Sequence, residues 1–221
     1  MCHRVTVFVF SAGREGKQPK KSVGVSTDSG DSSKSKMIIT PPLLPPSSVG
    51  FSFSPGGLLF PYHLGVITAL EYHGKITDSV PIAGASAGAI AVACHASRTK
   101  SAQALEAMDR MCQACSTQFN GRAVGNLLPL LKVEMDRVLD PDAHTIINER
   151  QGTVVLAHKE LFPQNRNVLV TKFETRDDLI ESVLDSCMFP FFSTPFPARL
   201  RYKSGERIPR VTVDGFFTVP R

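Results

Sequence analysis

No run of 18 or more apolar residues occurs in the chain, so the sequence offers no candidate for a membrane-spanning helix. Cysteine is scarce and ill-assorted: the five residues, at positions 2, 94, 112, 115 and 187, form an odd set without regular spacing. Such a set does not make the disulfide framework of a small secreted domain, and it fits a reducing compartment. An intracellular location follows as the expectation, either cytoplasmic or at the periphery of a membrane. Cys112 and Cys115 lie three apart in a helix-like stretch, but no second pair exists to close a zinc site, so no metal is expected. A basic surface suited to nucleic acid is also lacking. Residues 1–50 hold seven Lys or Arg against three acids, which accounts for about +4 of the net charge of +5 and leaves the remainder near neutral. No nucleic-acid partner is therefore expected, and no internal repeat stands out.

What is present divides at residue 49. Residues 1–48 read as a basic, Ser- and Pro-rich leader. Within it, 11–48 is dominated by Ser, Lys, Gly and Pro and closes on Pro41-Pro42 and Pro45-Pro46, a composition that cannot bury a core and is expected to be disordered. The apolar Val5–Phe10 ahead of it is too short to span a membrane and lacks a signal-cleavage pattern. The leader fits an organelle transit peptide and equally an untargeted tail. Residues 49–221 read as one domain, since 42% hydrophobic residues overall suffice for a real core.

That domain opens with Val49–Ser54, which alternates like a strand, followed by the turn Pro55-Gly56-Gly57 and a helical pattern from Leu59 to His73 ended by Gly74. A second such unit follows, with a strand at Val80–Ala85 and a small-residue helix at Ala87–Ser97. Two consecutive strand-turn-helix units predict an α/β fold with a mainly parallel sheet covered by helices. Further helices are expected at Ser101–Phe119, Leu127–Leu139 and Asp177–Asp185. Further strands are expected at Thr153–His158, Asn167–Phe173 and Arg210–Gly215.

The second unit carries the chemistry. Gly84-Ala85-Ser86-Ala87-Gly88 is a Gly-x-Ser-x-Gly nucleophile elbow, in which the serine sits on a tight turn between strand and helix and its glycines let the two fold back closely. A nucleophilic serine needs a base and a set of donors for the oxyanion. The last histidine is His158, so the late histidine of a Ser-Asp-His hydrolase is missing. Asp214, at the end of an apolar strand and followed by Gly215, is the best-placed acceptor of the Ser86 proton. Oxyanion donors are expected from the amides of Gly56, Gly57 and Leu58, with that of Ala87 as a further candidate. His63 and His73 read as packing or surface residues on the first helix. The aromatic, proline-broken Phe189–Pro197 reads as a loop packed on the core, an acyl-chain wall or a membrane-touching lip.

The glycine turn leading into Tyr62-His63-Leu64-Gly65-Val66, the Gly-x-Ser-x-Gly elbow and the final Asp-Gly resemble the patatin-like phospholipase family, especially its triacylglycerol-lipase-like branch, over Val49–Phe216. The resemblance implies a three-layer α/β/α sandwich and a Ser86–Asp214 dyad without histidine. It also implies no cofactor and hydrolysis of acyl esters in phospholipids or acylglycerols, with peripheral contact to a membrane or lipid droplet. The chain departs from the family pattern in having Pro55 and Phe60 at the first and third glycines of the loop, and Phe216 after the Asp-Gly. These departures support a second reading, a weak or inactive relative that binds lipid or a protein partner. Bodies of this type continue past the Asp-Gly motif, so the chain reads as a fragment or a shortened product. A third reading places a catalytic histidine beyond Arg221.

Overall fold

A computed structural model describes residues 7–10, 49–202 and 208–218. In chain order the strands and helices are β1 (Val7–Phe10), β2 (Gly50–Phe53), α1 (Phe60–Tyr72), β3 (Ile82–Ala85), α2 (Ala87–Ala96), α3 (Ser101–Gln118), α4 (Leu127–Val138), α5 (Ala143–Glu149), β4 (Val154–Phe162), β5 (Arg166–Val170), α6 (Arg176–Ser186), β6 (Arg199–Arg201) and β7 (Arg210–Val213). Short 3-10 turns at Gly57–Leu59 and Gly215–Thr218 flank α1 and follow β7. The architecture is an α/β sandwich built on one sheet, in the order β1-β2-β3-β4-β7-β6 with β5 added to β4.

The centre of the sheet is parallel because its connections run through helices: β2 pairs with β3 and β3 with β4 in parallel, as two consecutive strand-turn-helix units require. Antiparallel strands extend this centre, through the β4–β5 hairpin on one side and β7 and β6 on the other. The helix after the elbow is almost wholly buried. Ala87, Gly88, Ala89, Ala91, Val92, Ala93, Cys94 and Ala96 all face protein, and their small side chains let α2 lie close against β2, β3 and β4. Phe53, Ile82, Leu156, Leu179, Leu184 and Met188 fill the space around it. Each such side chain contributes about 1.5–3 kcal/mol on burial. The amphipathic α3 and α4 cover the next layer through Ala104, Ala107, Leu128, Leu131 and Met135. Thr175 caps α6, its side chain accepting the Asp178 N–H, with Asp177 and Asp178 in the first turn as the sequence suggests.

Several elements differ from expectation, and two of them, the short α5 and β6, were not expected at all. Val7–Phe10, part of a leader expected to be disordered, pairs antiparallel with β2 from Val7 opposite Phe53 to Phe10 opposite Gly50. Four alternating Val and Phe residues have the β-propensity to add an edge strand. The rest of the leader lies outside the described residues. The strand expected at Asn167–Phe173 ends at Val170, because Phe173 leaves the sheet and binds Asn148 through both its N–H and its carbonyl. Finally, β4 runs four residues past His158 to Phe162, where it accepts β7 as a partner.

Candidate active site

Ser86 stands alone between the end of β3 and the start of α2, with φ 54° and ψ −125°. A side-chain-bearing residue reaches this region only where the surroundings enforce it. Here the enforcement is steric. A Cβ on Gly84 would overlap the Gly88 carbonyl, and a Cβ on Gly88 would overlap the carbonyl of Phe53 on β2. Ala85 and Ala87, the remaining two residues of the elbow, end the strand and begin the helix.

The Ser86 hydroxyl donates to Oδ2 of Asp214 at 2.8 Å, across 128 residues of sequence. Asp214 follows β7 and is fully buried. Its Oδ1 accepts the Phe216 N–H at 2.8 Å, and its own N–H donates to the Met188 carbonyl at 2.8 Å. Burial outweighs the two hydrogen bonds to the carboxylate and pushes the Asp214 pKa up to about 6. The group is thus a better proton acceptor than an ordinary carboxylate and is still mostly ionised at neutral pH. Gly215 permits the approach: a Cβ there would overlap the Ala157 carbonyl and come within 2.7 Å of the Ala85 Cβ.

Gly56, Gly57 and Leu58 line the same cavity as Ser86, Ala87 and Asp214. Gly57 has φ 54°, a left-handed conformation suited to glycine. Among the described residues, the N–H groups of Gly56, Gly57, Leu58 and Ala87 meet no protein acceptor, so all four are available to a ligand oxygen. Under this turn lies His63, fully buried with its ring edge-on to Phe53 at 5.9 Å. A Cβ on Gly56 would sit 3.1 Å from its Nε2. Neither ring nitrogen has a well-formed partner, and burial, opposed by the Ser54 backbone, lowers its pKa and keeps it neutral. His63 therefore packs, as expected. It supports the turn from beneath.

The cavity measures about 740 Å³ and runs from the Ser86–Asp214 pair between α2, α3 and α4. Ile90, Cys94, Ala107, Met108, Leu131 and Met135 give it apolar walls. Away from Asp214, the charged wall residue Glu134 is compensated by Arg110 and Arg137, each at 2.8 Å. The aromatic segment after α6 divides its residues between two roles: Phe189 and Phe192 line the cavity, while Phe191 and Phe196 are about two-thirds exposed. Such a site can hold an extended apolar chain beside a hydroxyl, a carboxylate and free N–H donors.

Of the histidines after Ser86, none hydrogen-bonds Ser86 or Asp214 among the described residues. His158 is buried on β4 with its pKa lowered by burial, near Asp185 and Glu160. No three His, Cys, Asp or Glu side chains among the described residues are grouped to hold a metal ion. Ser186 is a site residue that sequence reasoning missed. Its Oγ accepts the Ser86 N–H at 2.9 Å, yet it lies 100 residues away on a helix with no local motif to mark it.

The family described as patatin-like phospholipase matches residues 51–218. The chain is 28% identical over 153 residues to human patatin-like phospholipase domain-containing protein 4, covering 66% of this chain and 58% of that protein. It is 29% identical over 161 residues to human patatin-like phospholipase domain-containing protein 5, covering 71% of this chain and 36% of that protein. It is also 27% identical over 158 residues to a human 1-acylglycerol-3-phosphate O-acyltransferase, covering 68% and 31%. The chain thus spans between about a third and somewhat over half of these curated relatives.

Proposed function

Because the chain belongs to the patatin-like phospholipase family, we propose that it is a serine acyl hydrolase that cleaves lipid acyl esters, of phospholipids or acylglycerols, through Ser86 and Asp214. The observation that carries this reading is the 2.8 Å hydrogen bond from the Ser86 hydroxyl to Asp214, made from a strained turn in the wall of a largely apolar cavity. Asp214 takes the proton as Ser86 Oγ attacks the ester carbonyl, and the negative charge that develops on the carbonyl oxygen meets the free N–H groups of Gly56, Gly57 and Leu58, with that of Ala87 beside them. The start of α2 adds the positive end of its dipole. Collapse expels the alcohol, which takes the proton held by Asp214. Water then releases the acyl group from Ser86 by the same steps in reverse.

Acceptance of the acyl group by a lipid alcohol in place of water would make the protein an acyltransferase, the activity named for one relative. Both outcomes share the acyl-enzyme. A binding-only protein is less well supported. Phe216, the unusual residue after Asp-Gly, contributes its backbone N–H to Asp214, a bond that does not depend on its side chain. The exposed Leu58, Leu59, Tyr62, Phe191 and Phe196 provide apolar contact for a membrane or droplet surface, where such substrates reside.

The test is hydrolysis of a phospholipid and a triacylglycerol, with fluorophosphonate labelling, by the wild type, Ser86→Ala and Asp214→Asn. Both variants are expected to lose about 10³-fold or more in kcat, with labelling abolished in Ser86→Ala. Equal rates in wild type and Ser86→Ala would sink the proposal.

A further inference from the structure

We propose that the end of α6 and the residues after it, Asp185 to Met188, hold the two halves of the Ser86–Asp214 pair in register, and that Ser186 is the positioning residue for the nucleophile. The inference rests on the catalytic reading given above.

Ser186 is fully buried, and its hydroxyl is used in both directions: it accepts the Ser86 N–H at 2.9 Å and donates to the Ala157 carbonyl at 2.6 Å. The last matched pair of the β3–β4 ladder is Ala85 opposite Ala157. One residue on, β3 turns away into the elbow while β4 continues, and backbone pairing between them stops. The Ser186 hydroxyl bridges the two groups left at the fork, acting as one more rung of the ladder made by a side chain. Without it a buried N–H and a buried carbonyl would each lose a partner. The N–H concerned belongs to the residue with φ 54°, so its anchor bears directly on where the Ser86 Oγ points.

The same short segment grips the other half of the pair. Two residues after Ser186, the Met188 carbonyl accepts the Asp214 N–H at 2.8 Å. One residue before it, the buried Asp185 accepts from Thr212 Oγ1 at 2.9 Å, two residues upstream of Asp214 on β7, and pairs with Arg199 and Arg201 on β6. Cys187, between them, lines the cavity beside Asp214. Asp185, Ser186 and Met188, within one four-residue segment, thus link the strand that leads into the serine to the strand that leads into the aspartate. A misplacement of about 1 Å at such a pair costs about 100-fold in rate.

The test is steady-state hydrolysis of p-nitrophenyl butyrate by the full chain, with active sites titrated by fluorophosphonate and thermal melting followed in parallel. Ser186→Ala is expected to lower kcat per titrated site by about 30–100-fold while KM stays within about twofold, because the cavity walls are untouched. Ser186→Thr, which restores a hydroxyl, should recover most of that loss. Ser186→Cys, with a poor donor and acceptor, should fall between. A kcat per site in Ser186→Ala equal to wild type overturns the proposal, as does a threonine variant as slow as the alanine one. Should the alanine variant not fold, the cysteine variant decides alone: about a tenfold loss in kcat at unchanged KM supports positioning, and wild-type kcat overturns it. Failure of the underlying reading looks different, because there Ser86→Ala would itself retain hydrolysis.

Discussion

The elbow at Gly84–Gly88 and the glycine turn at Pro55–Leu58 line one cavity and are built on opposite plans. The elbow is backbone pressed on backbone: each of its glycines faces a carbonyl that a single methyl group would overlap, and the strained serine between them is anchored by a buried hydroxyl. The turn is open. Gly57 has nothing within 4 Å of where a Cβ would be, and Gly56 rests on the rim of one buried imidazole. Yet the two share a φ of 54°, at Ser86 and at Gly57. A positive φ is therefore enforced by packing in one place and allowed by residue choice in the other. The nucleophile is held by close packing, while the proposed donors opposite it sit on a turn with open space beside Gly57.

Substitution should separate these plans, and the largest effect is expected at the elbow. Gly88→Ala must displace α2 from β2, so a loss of about 4 kcal/mol or more in stability, or failure to fold, is expected in denaturant unfolding. A well-folded Gly88→Ala protein would break the contrast at once. Next comes the carboxylate that the elbow holds. Its pKa lies at about 6 in the folded protein against the ordinary 3.8, so the native state binds the proton more tightly than the unfolded chain does. That stabilisation is complete below about pH 4 and is lost as the pH rises through about 6. Asp214→Asn avoids the loss and should be more stable than wild type at pH 8 by about 2–3 kcal/mol, while hydrolysis disappears. Unfolding curves at pH 4.5 and 8 check the sign, since the advantage should shrink at the lower pH. In the wild type the same ionisation should appear as an acid limb in kcat/KM, with activity falling below about pH 6. The smallest effect is expected at the turn. Gly57→Ala pays only for its positive φ, about 1 kcal/mol, with folding intact and kcat reduced less than tenfold.

Legibility in the sequence followed the range of the interactions. The elbow and the helix that follows it are local, and glycine spacing with an unbroken run of small residues announces both. Asp214 was reachable because a strand that ends on Asp-Gly is a local pattern and because histidine is missing after position 158. Ser186 was not reachable, since its meaning depends on β3 and β4 parting at the one point where its hydroxyl can fill the gap. Of the antiparallel strands that extend the parallel centre, β5 and β7 were legible as strands, whereas the three-residue β6 was too short to show a pattern and the order in which the strands pair leaves no periodicity to read. β1 went unrecognised for another reason: four good strand residues were embedded in a segment whose bulk composition argued against any structure. His63 read as a packing or surface residue, and its buried place beneath Gly56 depends on how α1 enters from the turn.

The contact between Gly215 and Ala85 makes the reach between hydroxyl and carboxylate a matter of carpentry more than of charge. A hydrogen atom on one chain segment meets a methyl group on another, and the thickness of that joint sets how near β7 can bring Asp214 to the serine. Positions 85 and 215 therefore form a single spacer whose combined bulk is conserved only if both stay small. A larger residue at either would pry the pair apart without removing a single polar group from the site.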